Sequence, residues 1–306
     1  MDKKIAKNLK VNIAGVELKN PVMTASGTFG SGVEYSEFVD LNKLGAIVAK
    51  GVSHTPWAGN KLPRIAETHG GMLNSIGLQN PGAAAFIKND LPFLQRFDTK
   101  VIANICGNTI EQYIDVAKDF NGVDIDMLEL NISCPNIAKG GMSFGTDEKL
   151  VEMVVSSVKE RISVPLIVKL SPNVTDISAI AMAAERGGAD AVSLINTIIG
   201  MRIDIHKRKP VLANKMGGLS GPAIKPVAVR MVYQVAKRVK IPIIGMGGIM
   251  TGEDAIEFIM AGATAVAVGT ANFVNPRATM DVLKGIEDFM DKNGIKDLQE
   301  IRGIIQ

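Results

Sequence analysis

The sequence predicts a (β/α)8 TIM barrel with an N-terminal β-hairpin and long loops over the C-terminal face. Three observations carry this. Eight short β-rich runs alternate with helical patterns along the chain. Most of those runs are apolar throughout, as parallel strands buried on both faces require. Polar residues gather at the C-terminal ends of the runs, the end where such barrels build their sites.

The opening "VNIAGVELKNPV" reads as the hairpin, turning near Gly15. The strand candidates follow in order: "VMTAS" (22–26), "AIVAK" (46–50), "VIANI" (101–105), "MLELNIS" (127–133), "LIVKLS" (166–171), "AVSLIN" (191–196), "PIIGM" (242–246) and "AVAVGT" (265–270). Between them the helices carry their own punctuation. Thr146 is placed to open "DEKLVEMVVSSVKER", with acids in the first turn, where the helix dipole favours them. Leu150, Val154 and Val158 repeat at i+4 and predict one apolar stripe. Thr175 is expected to open "DISAIAMAAER", which Gly187 can close. Thr251 opens "GEDAIEFIMA", and Asn275-Pro276 offers a cap followed by a proline at the first helical position. An open doubly wound sheet is the competing architecture. It would show G-x-G-x-x-G after the first strand, and "ASGTFG" does not match. Two segments, 51–80 and 197–221, are too long for simple connections and follow strand C-termini, so they are expected to be functional.

Composition bounds the function. The chain has 306 residues, 46% of them hydrophobic, and residues 1–306 are read as one barrel domain. A net charge of +3 is too mild to imply a nucleic-acid partner. Two cysteines, Cys106 and Cys134, are too few for a disulfide framework and suit a reduced, cytoplasmic setting. "MDKKIAKNLK" leads into no apolar stretch of the signal-peptide kind, and no run approaches the length of a membrane span. No membrane association is expected.

Ser26, Lys50, Asn104, Asn131, Lys169 and Asn196 all fall at or near strand C-termini, which would place six polar side chains around one mouth. Any one of them can be a turn cap or a solvated group. Six together are hard to explain so. "GMGGIMTGEDA" and "AVGTANF" follow the seventh and eighth runs. Gly247, Gly248, Gly269 and Thr270 there would present backbone N–H groups beside helix N-termini, the usual phosphate site of a barrel; tight turns that need glycine are the plainer alternative. Lys50 and Lys169 need anionic partners if buried. They suggest an electron-rich ring, or a carboxylate and a phosphate. No cluster has metal-ligand spacing. His54, His69 and His206 read as solvated loop residues, as does the basic run 206–209. Trp57 is left open between covering the site and marking a protein contact. Cys106 reads as a small packing residue. Cys134 differs, because it lies in a proline-broken, glycine-bearing loop, where a thiol would serve as nucleophile or general base.

Several stretches together resemble class 1 dihydroorotate dehydrogenases along essentially the whole chain: "TASGTFG", "NSIGLQNPG", "NISCPN", "VKLSPN", "INT", "GGLSGPAIKP", "GMGGI" and "AVGTA". Cysteine in "NISCPN" implies class 1, since the membrane-associated class 2 enzymes carry serine there and an N-terminal extension. "CPNIAKGGMSFG" and segment 197–221 resemble subgroup 1B, which reaches NAD through a partner; subgroup 1A is a homodimer that uses fumarate. The resemblance implies oxidation of dihydroorotate to orotate, with FMN held by Ser26, Lys50, Gly51, Asn104, Asn131, Lys169, Ile195, Gly221, Gly247, Gly248, Gly269 and Thr270. It implies substrate held by Lys50, Asn74, Ser75, Ile76, Gly77, Leu78, Asn131, Asn196 and Thr197, and Cys134 as the base. It further implies a partner subunit carrying FAD and a [2Fe-2S] cluster, in a heterotetramer of two catalytic and two electron-transfer chains. A tRNA-dihydrouridine synthase is a competing flavin barrel, but it predicts a strongly basic face. A barrel that only binds a nucleotide would leave Cys134 and Asn131 unexplained.

Overall fold

The computed structural model describes residues 7–133 and 144–305. Eight parallel strands close into a barrel in simple sequence order: Val22–Thr24, Ala46–Val48, Lys100–Ile105, Met127–Asn131, Leu166–Lys169, Ala191–Leu194, Ile243–Met246 and Ala265–Val268. Every one of the eight expected runs supplies a barrel strand. Nearly all their residues are buried, because inward side chains fill the barrel and outward ones meet the helices. The hairpin Val11–Ile13 and Val16–Leu18 turns at Ala14-Gly15, both at positive φ. It buries Val11, Ile13 and Leu18 in the main core.

The helices Ile110–Asp119, Glu148–Lys159, Ile177–Arg186, Lys225–Ala236, Gly252–Met260 and Ala278–Asn293 follow strands three to eight. Two helix starts differ from expectation by one residue. Asp147, not Thr146, accepts from the Leu150 N–H, and Asp176, not Thr175, accepts from the N–H groups of Ser178 and Ala179. In each Thr-Asp pair the carboxylate takes the cap, since it adds charge at the positive end of the dipole. The stripe of Glu148–Lys159 is Val151, Val154, Val155 and Val158, with Leu150 only partly buried at its margin. Thr251 caps as expected, in a reciprocal box with Asp254. The last helix starts two residues later than expected: Arg277, not Asn275, precedes Ala278–Asn293, and Asn275 instead ends the short turn before it, its Oδ1 accepting from the Arg277 N–H. After the first strand there are only two short 3-10 turns, Glu34–Glu37 and Leu41–Lys43.

The two long segments meet. Ile65–Thr68 and Gly71–Asn74 from the first, with Ile198–Met201 and Met216–Ser220 from the second, form one antiparallel sheet. Both segments leave C-terminal strand ends, so this sheet belongs to the mouth side. Gly218 pairs with Asn74 and Leu219 with both Leu73 and Ile198. The basic run 206–209 lies at the exposed end of a small hairpin, Ile203–Asp204 with Lys209–Pro210. Among the described residues no helix is long and apolar enough to cross a membrane.

Candidate active site

Strand register places the polar side chains. Asn104 is level with Glu129, Asn131 with Lys169, and Lys169 with Ser193. Level partners point the same way, so these residues share the barrel interior near its C-terminal end. Ser26, Asn104, Asn131 and Lys169 are all buried.

Lys169 Nζ donates to Ser26 Oγ at 3.2 Å, across the barrel from strand five to the end of strand one. Lys50 follows strand two, and burial holds its ammonium below the usual lysine range; the Cys106 thiol raises it and the Lys169 charge lowers it further. The two lysines therefore sense each other across the mouth. Neither makes an ion pair among the described residues. Two cations so placed favour an anionic or electron-rich ligand.

Asn196 Nδ2 donates to Asn131 Oδ1 at 3.4 Å, and the same oxygen accepts from the Ser133 N–H at 3.2 Å. Tyr113 Oη donates to the Asn131 carbonyl at 2.7 Å and fixes that strand end. Asn196 Oδ1 accepts from the Thr197 N–H at 2.8 Å. Asn74 Nδ2 donates to the Gly218 carbonyl at 3.4 Å, and a β-carbon on Gly218 would collide with Thr197 Oγ1. The covering sheet thus brings Asn74 beside Thr197. In the 74–78 turn, Gly77 and Leu78 both have positive φ, the Ile76 carbonyl accepts from Asn60, and Ser75 Oγ is buried with no partner among the described residues.

The glycine turns have the shape of a cradle. Gly221, Gly247 and Gly248 all have positive φ. A β-carbon on Gly248 would lie 2.9 Å from the Gly221 carbonyl oxygen, so backbone from the sixth and seventh strand connections packs together there. Thr270 Oγ1 donates to Ser220 Oγ at 2.8 Å and ties the eighth connection to the covering sheet. Gly269 is different. A β-carbon there would meet only ordinary contacts, so its value would lie in its backbone N–H. Ile195 is buried behind Gly247, 3.1 Å from where a β-carbon on Gly247 would lie.

FMN fits this set by its donors and acceptors. Asn104 Oδ1 is buried without a partner among the described residues, and Gly51, whose β-carbon would collide with it, leaves that oxygen open. Buried acceptors are rarely left so. The lysines supply positive charge, and the glycine turns supply backbone donors.

Cys134 lies outside the described residues, as does most of the "CPNIAKGGMSFG" loop. His54 does not stand free but pairs with Asp119 at 2.7 Å, which raises its pKa. Cys106 is fully buried, as a packing residue should be. Trp57 pairs through its backbone with Asn80, which helps hold segment 51–80. Glu129 was missed. It is 1% exposed, and its carboxylate accepts from Asn104 Nδ2 at 2.6 Å and Ser193 Oγ at 2.7 Å. The only signal was an acid at the centre of the apolar run "MLELNIS".

Comparison with known proteins is consistent with this geometry. The dihydroorotate dehydrogenase family model matches residues 8–290. A dihydroorotate dehydrogenase B (NAD(+)) catalytic subunit from Alkaliphilus metalliredigens is 69% identical, over 97% of this chain and 98% of that protein. The protein of the same description from Lachnoclostridium phytofermentans is 62% identical, over 98% of this chain and 100% of its own length. In fold, the chain is similar to the crystal structure of DHODH in complex with ferulenol from Eimeria tenella. The TM-score is 0.83 at 23% identity, over 99% of this chain and 90% of that one. The chain belongs to the dihydroorotate dehydrogenase family.

Proposed function

We propose that the chain is the catalytic subunit of an NAD-linked dihydroorotate dehydrogenase, oxidising (S)-dihydroorotate to orotate for UMP synthesis. The observation that carries this is the pairing of Lys50 and Lys169, without ion-pair partners among the described residues, in a mouth that also holds the Asn131–Asn196 pair. Cations meet a carboxylate and an electron-rich ring. Amides match the alternating donors and acceptors of a pyrimidine-dione edge.

FMN, when bound, supplies the acceptor for the hydride that leaves the substrate ring. The chain's residues bind and orient. Gly221, Gly247, Gly248, Gly269 and Thr270 would receive the phosphate, and Ser26, Lys50, Gly51, Asn104, Asn131, Lys169 and Ile195 the ring system and its tail. Lys169 would stabilise negative charge on the ring. Lys50 would pair with the substrate carboxylate, while Asn74 to Leu78, Asn131, Asn196 and Thr197 hold the pyrimidine. Cys134 would take a proton from the ring carbon adjacent to the one that gives up hydride.

The word "subunit" in the relatives' names supports a partner chain. The partner would carry FAD and a [2Fe-2S] cluster, two of each chain forming a heterotetramer in the cytoplasm. The test is an acceptor comparison on the purified chain. Dihydroorotate should reduce an artificial dye with the chain alone, and NAD only after the partner is added. Fumarate as the best acceptor, or efficient NAD reduction by the chain alone, would reject the subgroup. Failure to take up FMN would reject the whole reading.

A further inference from the structure

Glu129 is a buried acid with no place in the roles given above. It stands on the fourth strand, inside the barrel, level with Asn104 on the third. Each carboxylate oxygen has one neutral donor: Asn104 Nδ2 at 2.6 Å and Ser193 Oγ at 2.7 Å. The consequence falls on Asn104. An amide has a donor end and an acceptor end, and both Glu129 oxygens accept, one from Asn104 Nδ2 and one from Ser193 Oγ. Facing Glu129, Asn104 must present its NH2 group to the carboxylate. Its oxygen must then point the other way, and that oxygen is the buried atom beside Gly51 that has no partner among the described residues.

We propose that Glu129 is a positioning residue that locks the Asn104 amide with its carbonyl oxygen towards the cofactor, ready to accept a hydrogen bond from an FMN donor. This rests on the FMN reading of the mouth. Without an acceptor at residue 129, the NH2 group loses its buried partner and the amide can turn over. A donor would then face a donor.

The test measures FMN binding to the cofactor-free full-length chain by quenching of flavin fluorescence, with circular dichroism confirming the fold. Glu129→Met keeps much of the volume but offers no strong acceptor, and should weaken FMN roughly 10- to 100-fold, as loss of a buried partner does. Glu129→Gln keeps an acceptor oxygen and should stay within about threefold of the parent, because the lock needs an acceptor more than a charge. Asn104→Ala should weaken FMN by itself. Adding Glu129→Met to Asn104→Ala should then weaken it by less than about twofold more, since both act through one group. Parental affinity in a folded Glu129→Met chain would overturn the proposal, as would fully additive losses in the double variant. If Glu129→Met does not fold, Glu129→Gln decides alone: a loss beyond tenfold in that folded variant overturns the lock. No FMN binding by the parent would instead overturn the cofactor reading.

Discussion

Gly51 and Asn104 share a space that admits no β-carbon: one added at Gly51 would collide with Asn104 Oδ1. The Asn104 side chain cannot swing aside without leaving Glu129, to which its NH2 group is bonded at 2.6 Å. Gly51→Ala should therefore press the Asn104 oxygen out of position. FMN affinity should fall roughly tenfold or more, about the worth of one buried hydrogen bond made poorly. The fold should survive, because the clash lies at the end of one side chain. Fluorescence titration and a thermal melt of the same sample separate the two effects. Unchanged FMN affinity would count against Asn104 as a cofactor ligand.

Lys50 gives a pH dependence of definite sign. Its pKa is lowered in the fold, first by burial. Between that lowered value and the ordinary lysine value, the unfolded chain binds more protons than the folded one. Stability without ligand should therefore rise with pH through that window. Ligand binding should run the other way. If Lys50 pairs with the orotate carboxylate as proposed, orotate needs the ammonium charged, and its affinity should fall as pH passes the lowered Lys50 value. Both slopes should be missing in Lys50→Met. The measurements are melts of the FMN-free chain across alkaline pH, and orotate titration of the flavin band in the FMN-loaded chain. Equal slopes in parent and variant would show that Lys50 does not carry the effect.

Helix packing has a clear weak point. Gly252 and Gly285 let the helices Gly252–Met260 and Ala278–Asn293 touch backbone to backbone, and a β-carbon on Gly285 would lie 2.8 Å from Gly252 Cα. Gly285→Ala gains about 1 kcal/mol in helix propensity. The overpacking costs about 1–3 kcal/mol or more, since backbone rather than a flexible side chain must move. The melting temperature of the FMN-free chain should fall. A rise in melting temperature would show that the helices separate easily.

The strands were readable because each is apolar on both faces, a pattern that needs no knowledge of its partners. The mouth was readable for the same reason in reverse: Ser26, Asn104, Asn131 and Lys169 break that pattern at strand ends, where nothing in the core requires them. Helix starts were readable to one or two residues: Thr146 and Asp147 compete for the same cap and only the fold chooses, and the helix expected to open at Pro276 opens at Ala278. The covering sheet was hidden. Its strands come from segments far apart in sequence, and the Gly218–Asn74 pairing has no local signature. Glu129 was hidden too, because its meaning depends on Asn104 and Ser193, each on another strand.

The proposed base, Cys134, is testable in solution. Cys134 follows Asn131 by three positions, and Asn131 is fixed at the mouth by Tyr113 and Asn196. A strand would hold a base rigidly and the core would keep it neutral; the proline-broken sequence around Cys134 favours neither. An ordinary thiol has a pKa of about 8.5, so only a few per cent is thiolate at neutral pH. If the thiolate is the base, flavin reduction by dihydroorotate should speed up with rising pH and level off near the thiol pKa. Cys134→Ala should keep FMN and orotate binding but lose roughly 10²–10⁴-fold in rate, the usual worth of a general base. Cys134→Ser should also be slow, because a hydroxyl is a far weaker base. Cys106→Ala, which removes a fully buried packing residue, should leave the pH profile in place. Stopped-flow reduction across pH compares all three variants with the parent. Parental reduction rates in Cys134→Ala would remove Cys134 from the chemistry and leave the proton without an acceptor in this scheme.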